Sequence, residues 1–430
     1  METYRKKIAL KTIGCKLNFA ETSTISRDFA NRGFEIVDFN CKANVYVINT
    51  CTVTANADKD CRKAVYQANR NNPNAFVAMV GCFSQLHSEE AKSIPGVTAV
   101  LGNDEKFKLF DYYKNYAEQE KIEYNNHIDI LDEFHFSYSA DERTRTFLKI
   151  QDGCDYECTY CTIPLARGKS RSDNIENTMQ QAREIAQTNA REIVLTGVNT
   201  GDFGRGTNES FFELIRELDT LEDIDRIRIS SIEPNLLTGE MIDFIAESRL
   251  FVPHFHIPLQ SGSNKILKDM HRRYLCELYA KRVEKIKSIM PDCGIGVDVI
   301  VGFPTETEKD FQETYDFLNS LDSSYLHVFS YSPRDNTKAL DFKNIVTHAQ
   351  RKNRSKILHE LSDSKQKTFY NKFIGQERKV LFESHVDDKI QGHTDNYIKV
   401  IAKGDAEMVN EIITVKLVEN ETEYMVGEIL

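Results

Sequence analysis

The chain has 430 residues, with 55 Lys and Arg against 66 Asp and Glu, a formal net charge of −11. That length accommodates two or three domains with cores of their own. A composition of 40% apolar and 28% charged residues belongs to a soluble globular protein, not a disordered one. No apolar run approaches the ~18 residues that a bilayer-spanning helix needs, and the opening METYRKKIAL lacks the apolar stretch of a signal peptide. The acidic balance excludes indiscriminate nucleic-acid binding but leaves room for a local basic patch.

Three short apolar runs open the chain, IALKTIGC, VYVINTC and FVAMVGC, and each ends in a cysteine: Cys15, Cys51 and Cys82. Each run reads as a buried strand, and the stretches Glu21 to Arg32 and Asp58 to Asn69 between them have helical periodicity. The order βαβαβ predicts a parallel sheet, whose sites form beyond the carboxyl ends of the strands. A single cysteine is most often a core residue, but three at three strand ends converge into a metal-binding set. Residues 1–115 are therefore expected to form a parallel α/β domain of flavodoxin-like character. Residues 116–143 are charged and without periodicity, and read as a linker.

From Thr144 the alternation resumes, and residues 144–370 are expected to form a second α/β domain. The run TFLKIQD leads into GCDYECTYC, which places Cys154, Cys158 and Cys161 in the pattern CxxxCxxC. Zinc sites commonly pair two CxxC-like units to reach four ligands. Three thiolates on one loop suit a [4Fe–4S] cluster with one iron open to a small molecule. In a reducing compartment clustered cysteines favour metal over disulfides; Cys41, Cys61, Cys276 and Cys293 lack such placement and read as core or surface thiols. The later strands are IVLTGVN, RIRISSI, FVPHFHIPL, GIGVDVIVG and YLHVFSYS, separated by helices such as Ile175 to Gln187, Ser210 to Leu218 and Glu277 to Met290. Thr305 with Glu308 reads as a capping box before a further helix. Six strands with crossover helices predict a partial (β/α)6 barrel with its site at the strands' carboxyl ends.

Residues 351–372 carry seven Lys/Arg against two Asp/Glu on a helical pattern. Arg351, Lys352, Arg354, Lys356, Lys365 and Lys367 are the candidate RNA contacts of this basic helix. Residues 371–430 change to short alternating strands, KVLFES, YIKVIAK, IITVKLVE and YMVGEIL, and predict a small closed β-barrel. This last segment is acidic, with seven Lys/Arg against twelve Asp/Glu.

The cysteine loop, with Tyr160 before its last cysteine, resembles that of the radical S-adenosylmethionine (SAM) enzymes. With TIGCKLN, NTCTVT, VGC, GCDYECTYCTIP, RISSIEP, HIPLQSGS and VGFPTET it resembles the methylthiotransferases of that superfamily over nearly the whole chain, including a TRAM-like C-terminal domain. NTCTVT followed by ADKDCRKA is most similar to the enzymes that methylthiolate C2 of N6-threonylcarbamoyladenosine at tRNA position 37. The alternatives within the family act on isopentenyladenosine tRNA or on a ribosomal protein side chain.

The resemblance implies two [4Fe–4S] clusters. One, on Cys154, Cys158 and Cys161, binds SAM and generates a 5′-deoxyadenosyl radical; the other, on Cys15, Cys51 and Cys82, presents the sulfur. It places Tyr160, Gly197, Ser231, Glu233, Gln260, Val301 and Gly302 around SAM: Gly197 at the methionine end, Ser231 and Glu233 at the ribose, Val301 and Gly302 at the adenine. It assigns no catalytic role to a side chain, because the clusters and SAM carry the radical chemistry. The expected partners are the threonylcarbamoylated tRNA and an electron donor such as flavodoxin or ferredoxin. The expected state is a cytoplasmic monomer with no membrane partner.

Overall fold

Every residue of VYVINT and of FVAMVG is buried, as two central strands of a sheet covered on both faces must be. They are β3 (Val45–Thr50) and β4 (Phe76–Gly81), flanked by β1 (Lys7–Thr12), β2 (Glu35–Val37) and β5 (Ala99–Leu101) in a computed structural model. The model describes residues 5–118, 131, 133–139 and 144–430. The sheet is parallel throughout, in the order β2-β1-β3-β4-β5, the flavodoxin-like order. Alternate residues serve opposite faces. Tyr46, Ile48, Val77 and Met79 pack on Cys61, Ala64, Val65 and Ala68 of the helix Ala55–Asn71. Val45, Val47, Phe76 and Ala78 pack on Ile25 and Phe29 of the helix Lys16–Asn31, and on Leu109 and Tyr113. Edge strands β2 and β5, three residues each, are too short to show a period, and sequence reading passes over them.

The contacts divide the chain into two units. The first comprises Met1–Ala140, Phe147–Tyr156 and Cys161–Ser172; the second comprises Asp141–Thr146, Glu157–Tyr160 and Asp173–Leu430. Most of the expected linker, 119–130, 132 and 140–143, lies outside the described residues.

The strand β6 (Arg145–Lys149) is divided, with only Arg145 and Thr146 in the second unit. Within that unit β7 (Glu192–Thr196) pairs in parallel with β8 (Arg226–Ile229), and β9 (His254–Gln260), β10 (Gly294–Val301) and β11 (Tyr325–Ser330) form a further parallel sheet in that order. Parallel bridges Ile227–Phe251 and Ser231–His256 carry β8 on to β9, so that β7 to β11 run on as consecutive strands of a partial barrel. On β10 the outward Ile295, Val297, Val299 and Val301 are buried, while Asp298 and Ile300 on the other face are partly exposed. The helix Glu308–Ser320 starts two residues later than expected. Thr307 and Asp310 form its capping box, because Thr305 is engaged elsewhere, donating its hydroxyl to Asp269.

The basic segment is the helix His348–Asn371, capped by Thr347 and Gln350. It leads into a closed barrel of five strands, β12 (Glu377–Val386), β13 (Lys389–Thr394), β14 (Lys399–Lys403), β15 (Ile412–Asn420) and β16 (Met425–Ile429). Their order is β12-β13-β14-β16-β15, and β15 pairs back on β12. Phe369 and Tyr370 from the end of the basic helix, and Phe373 just beyond it, pack into the barrel's core. No described helix is long and apolar enough to cross a membrane.

Candidate functional site

Cys15, Cys51 and Cys82 stand at the carboxyl ends of β1, β3 and β4, which are neighbours in the sheet. Cys15 is the N-cap of the helix Lys16–Asn31 without a side-chain capping bond, so its sulfur is not committed to the helix. Gly14 (φ +113°) passes so close over Cys51 that an added Cβ would lie 2.7 Å from the Cys51 Cβ. Gly81 (φ +94°) turns the end of β4 directly into the helix Cys82–Leu86, with a Cβ's space taken by Asn49 Oδ1 at 2.5 Å. The three sulfurs feel one another. Burial, then the charge of Cys82, pushes the Cys51 thiol up to about 12, with Cys15 adding to it. Crowding by protein likewise raises the Cys15 thiol, against the pull of the Arg167 guanidinium.

This donor set fits a cluster. It offers three thiols that disfavour each other as free anions and that a metal would deprotonate together. Thr52 Oγ1 and Ser84 Oγ, buried next to Cys51 and Cys82, have no hydrogen-bond partner among the described residues. Cys61, the other buried cysteine nearby, is turned to the Cys51 carbonyl at 3.8 Å and sits in the apolar core.

The CxxxCxxC loop contributes Cys154 and Cys161 to the first unit and Cys158 to the second. In the first, the Tyr156 N–H reaches the Cys154 sulfur at 3.4 Å and the Ile163 N–H reaches the Cys161 sulfur at 3.5 Å. In the second, Arg272 Nη1 lies 3.1 Å from the Cys158 sulfur; burial raises that thiol and Arg272 opposes it. Amide and guanidinium donors aimed at sulfur favour the thiolate, the form a metal takes.

The expected SAM residues also lie at strand ends. Gly197 follows β7, Ser231 and Glu233 follow β8, Gln260 ends β9, and Val301 and Gly302 end β10. Glu233 is ion-paired with Arg272, which also reaches the Tyr160 hydroxyl at 3.4 Å and bonds Tyr274 at 3.1 Å. Burial raises the Glu233 carboxyl, with Arg272 opposing. Arg272 therefore joins Cys158, Tyr160 and Glu233, and sequence reading missed it. Its only signal is a charged pair, HRR, just beyond the short helix Asn264–Asp269. Gln260 holds a positive φ of +71°, uncommon outside glycine. The Val301 side chain is turned into the core, and the Gly302 N–H bonds both Glu306 carboxylate oxygens at 3.1 Å.

Below these ends, His256, Asp298 and His327 on β9, β10 and β11 bring one ligand atom each within 4.8 Å of the others. Asp298 pairs directly with His327 in register, and His256 Nε2 lies 2.6 Å from Asp298 Oδ1.

The basic helix does not present all six of its expected cations. Arg354 is buried, with Nη1 2.6 Å from Glu306 and Nη2 2.9 Å from Glu308; a buried cation requires such partners. Arg351 lies against Gly302 and donates to the Tyr331 carbonyl at 2.7 Å. Lys365 donates to the Leu321 carbonyl at 2.7 Å, and burial pulls its ammonium down to about 8 against Asp322. Lys352, Lys356 and Lys367 are exposed.

Each cysteine set lies in a segment that matches a known family. Residues 148–318 match the radical SAM superfamily model and residues 7–102 match uncharacterized protein family UPF0004. The chain is 39% identical to the threonylcarbamoyladenosine tRNA methylthiotransferase MtaB of Bacillus subtilis, over 98% of this chain and 96% of that one. The chain belongs to the radical SAM methylthiotransferase family. A second methylthiotransferase of the same name, from Aquifex aeolicus, is 39% identical over 90% of this chain and 98% of its own. A tRNA-2-methylthio-N(6)-dimethylallyladenosine synthase of Alkaliphilus oremlandii is 31% identical over 99% of this chain and 93% of its own. Among solved structures, the radical SAM methyltransferase TsrM of Kitasatospora setae matches with TM-score 0.56 at 14% identity, over 76% of this chain and 77% of that one. That likeness is one of fold.

Proposed function

We propose that the chain methylthiolates C2 of N6-threonylcarbamoyladenosine at tRNA position 37, using SAM and two [4Fe–4S] clusters. The observation that carries the reading is the presence, in one methylthiotransferase chain, of two separate three-thiol sets. Each would leave one iron of a cluster without a protein ligand. Cys154, Cys158 and Cys161 would hold the cluster that binds SAM, and Cys15, Cys51 and Cys82 the one that presents sulfur. SAM and its cluster supply radical chemistry, which an aromatic C–H requires because no side-chain base ionises it near neutral pH.

The chain's own residues bind and orient. Arg272 steadies Cys158 and Glu233 together, and Glu233 with Ser231 remains beside the strand ends where a ribose would lie. The amide of Gly302 is held by Glu306, which fixes the turn beyond β10. The polar set His256, Asp298 and His327 supports the threonylcarbamoyl substrate, because its arm carries hydrogen-bonding groups that an isopentenyl arm lacks. The names of two relatives that are 39% identical over nearly their full length support the same substrate. A cytoplasmic enzyme working as a monomer with a flavodoxin- or ferredoxin-type donor completes the reading.

The test supplies the reconstituted enzyme with anticodon stem-loops bearing adenosine, threonylcarbamoyladenosine or isopentenyladenosine, and follows products by mass spectrometry. Methylthio product is expected on the threonylcarbamoyl substrate; equal conversion of the isopentenyl one would overturn the assignment.

Residues 371–430 form the TRAM-like RNA-binding domain in this reading, with the exposed Lys352, Lys356 and Lys367 as phosphate contacts on the helix before it. Changing these three to Gln should weaken all tRNAs alike and reduce the salt slope by about one per lysine. The choice of adenosine should survive, since phosphate contacts position without reading bases. Titration of tRNA at two salt concentrations checks this, and unaltered low-salt affinity would remove the helix from the interface.

A further inference from the structure

Beneath the Cys15–Cys51–Cys82 site lies a group of charged side chains shielded from water. Glu21, Lys106, Lys149, Asp152 and Arg167 are each no more than 2% exposed. Glu21 receives Lys106 at 2.6 Å, Lys149 at 3.0 Å and Arg167 at 3.0 Å. Asp152 receives Lys149 at 2.7 Å and Arg167 at 2.9 Å. Among the described residues three buried cations thus face two carboxylates, and the less buried Arg171 adds a fourth cation to Asp152 at 3.2 Å. An excess of buried positive charge is costly unless an anion stands near it.

Two buried asparagines connect this excess to the cysteines. Arg167 Nη2 donates to Asn18 Oδ1 at 2.7 Å, and the Asn18 amide donates to the carbonyls of Ile13 and Thr50, just ahead of Cys15 and Cys51. Lys106 donates to Asn103 Oδ1 at 2.9 Å, which turns the Asn103 amide toward the Cys82 sulfur at 3.7 Å. The same amide bonds the Ala166 carbonyl at 2.7 Å, beside Arg167. Arg167 and Lys106 each fix one asparagine, and each asparagine fixes the approach to one or two thiols. A [4Fe–4S] core on three thiolates is anionic overall, and a sulfur anion on its open iron adds to that charge.

We propose that this cation-rich network, with Arg167 at its centre, is the counter-charge of the cluster at Cys15, Cys51 and Cys82, and that it retains the anionic sulfur species to be transferred. The proposal rests on the reading of that site as a cluster site. Arg167 is a positioning residue: it touches neither sulfur nor substrate and acts through Asn18 and through its charge. The network also explains why Arg167 lies only six residues beyond Cys161, on a segment that packs within the first unit.

The test uses the full chain with Cys154, Cys158 and Cys161 changed to Ala, so that only the other cluster is read. Iron content and the reduced cluster's EPR signal of this parent first establish that the cluster is present; their absence would count against the cluster reading itself. Arg167→Gln, Arg167→Lys and Arg171→Gln are then compared for reduction potential and for hydrosulfide binding followed by EPR. Less positive charge disfavours the reduced, more negative cluster. Both Gln variants should therefore titrate at lower potential, and Arg167→Gln should bind hydrosulfide about 10–100-fold more weakly. Arg167→Lys should stay near the parent. Arg171, at the rim, gives a variant that keeps the buried pairs should Arg167→Gln fail to fold. An Arg171→Gln potential equal to the parent's would overturn the proposal. So would an Arg167→Gln protein that loses thermal stability while keeping its potential and hydrosulfide affinity.

Discussion

Changing Cys154, Cys158 and Cys161 to Ala should abolish reductive cleavage of SAM and lower the iron content of the reconstituted protein from about eight to about four per chain. The loss should be chemical and not structural. The loop is fastened by bonds that do not involve its sulfurs: the Cys154 N–H to the Gly168 carbonyl at 3.0 Å, the Thr159 N–H to the Met270 carbonyl at 3.2 Å, and the Ala339 N–H to the Thr159 carbonyl at 2.8 Å. The thiols themselves are met by donors suited to thiolates: two backbone amides and Arg272. The measurements are iron per chain and 5′-deoxyadenosine released after reduction with SAM. Production of 5′-deoxyadenosine by the triple variant would show that the radical site lies elsewhere.

The radical loop was the most legible part of the site, because its three ligands lie within eight residues and need no tertiary structure to be recognised. Cys15, Cys51 and Cys82 were legible at one remove. Runs such as VYVINT and FVAMVG are apolar throughout, which only a strand covered on both faces requires, and parallel strands bring their carboxyl ends together. The five-stranded barrel was read one strand short. β13 (KIQGHT) alternates Ile and Gly inward with Lys, Gln and His, too weak a period to stand out beside its neighbours.

Charge was the least legible property. Six cations on one helix look alike in sequence, yet Arg354 is buried against Glu306, a partner 48 residues away whose distance no local pattern encodes. Arg167 and Glu21 show the same limit. Each sits in an ordinary polar stretch, and their pairing across 146 residues exists only once the sheet and the loop have folded.

The complementary replacement, Cys15, Cys51 and Cys82 to Ala, should leave SAM cleavage intact and eliminate methylthio transfer. The two sets are built by different parts of the chain. Cys15, Cys51 and Cys82 follow β1, β3 and β4, whereas Cys158 is supported by Arg272, which lies between the strands β9 and β10 of the second unit. Removing three sulfurs from the first sheet's rim deletes little packing. Cys15 is exposed, and the sheet's two cores consist of residues from the strands and helices, not of these cysteines. The variant should therefore fold, retain about half the iron, and release 5′-deoxyadenosine on reduction with SAM at a rate comparable to the unaltered chain. What it lacks is the three-thiol set that presents sulfur in this reading; Cys61 beside it is held in the apolar core and raised to about 12 by burial. Threonylcarbamoylated stem-loop incubated with this variant should come back unmodified by mass spectrometry, while 5′-deoxyadenosine accumulates in the same tube. Methylthio product from it would mean that sulfur reaches the substrate by a route independent of the three strand ends.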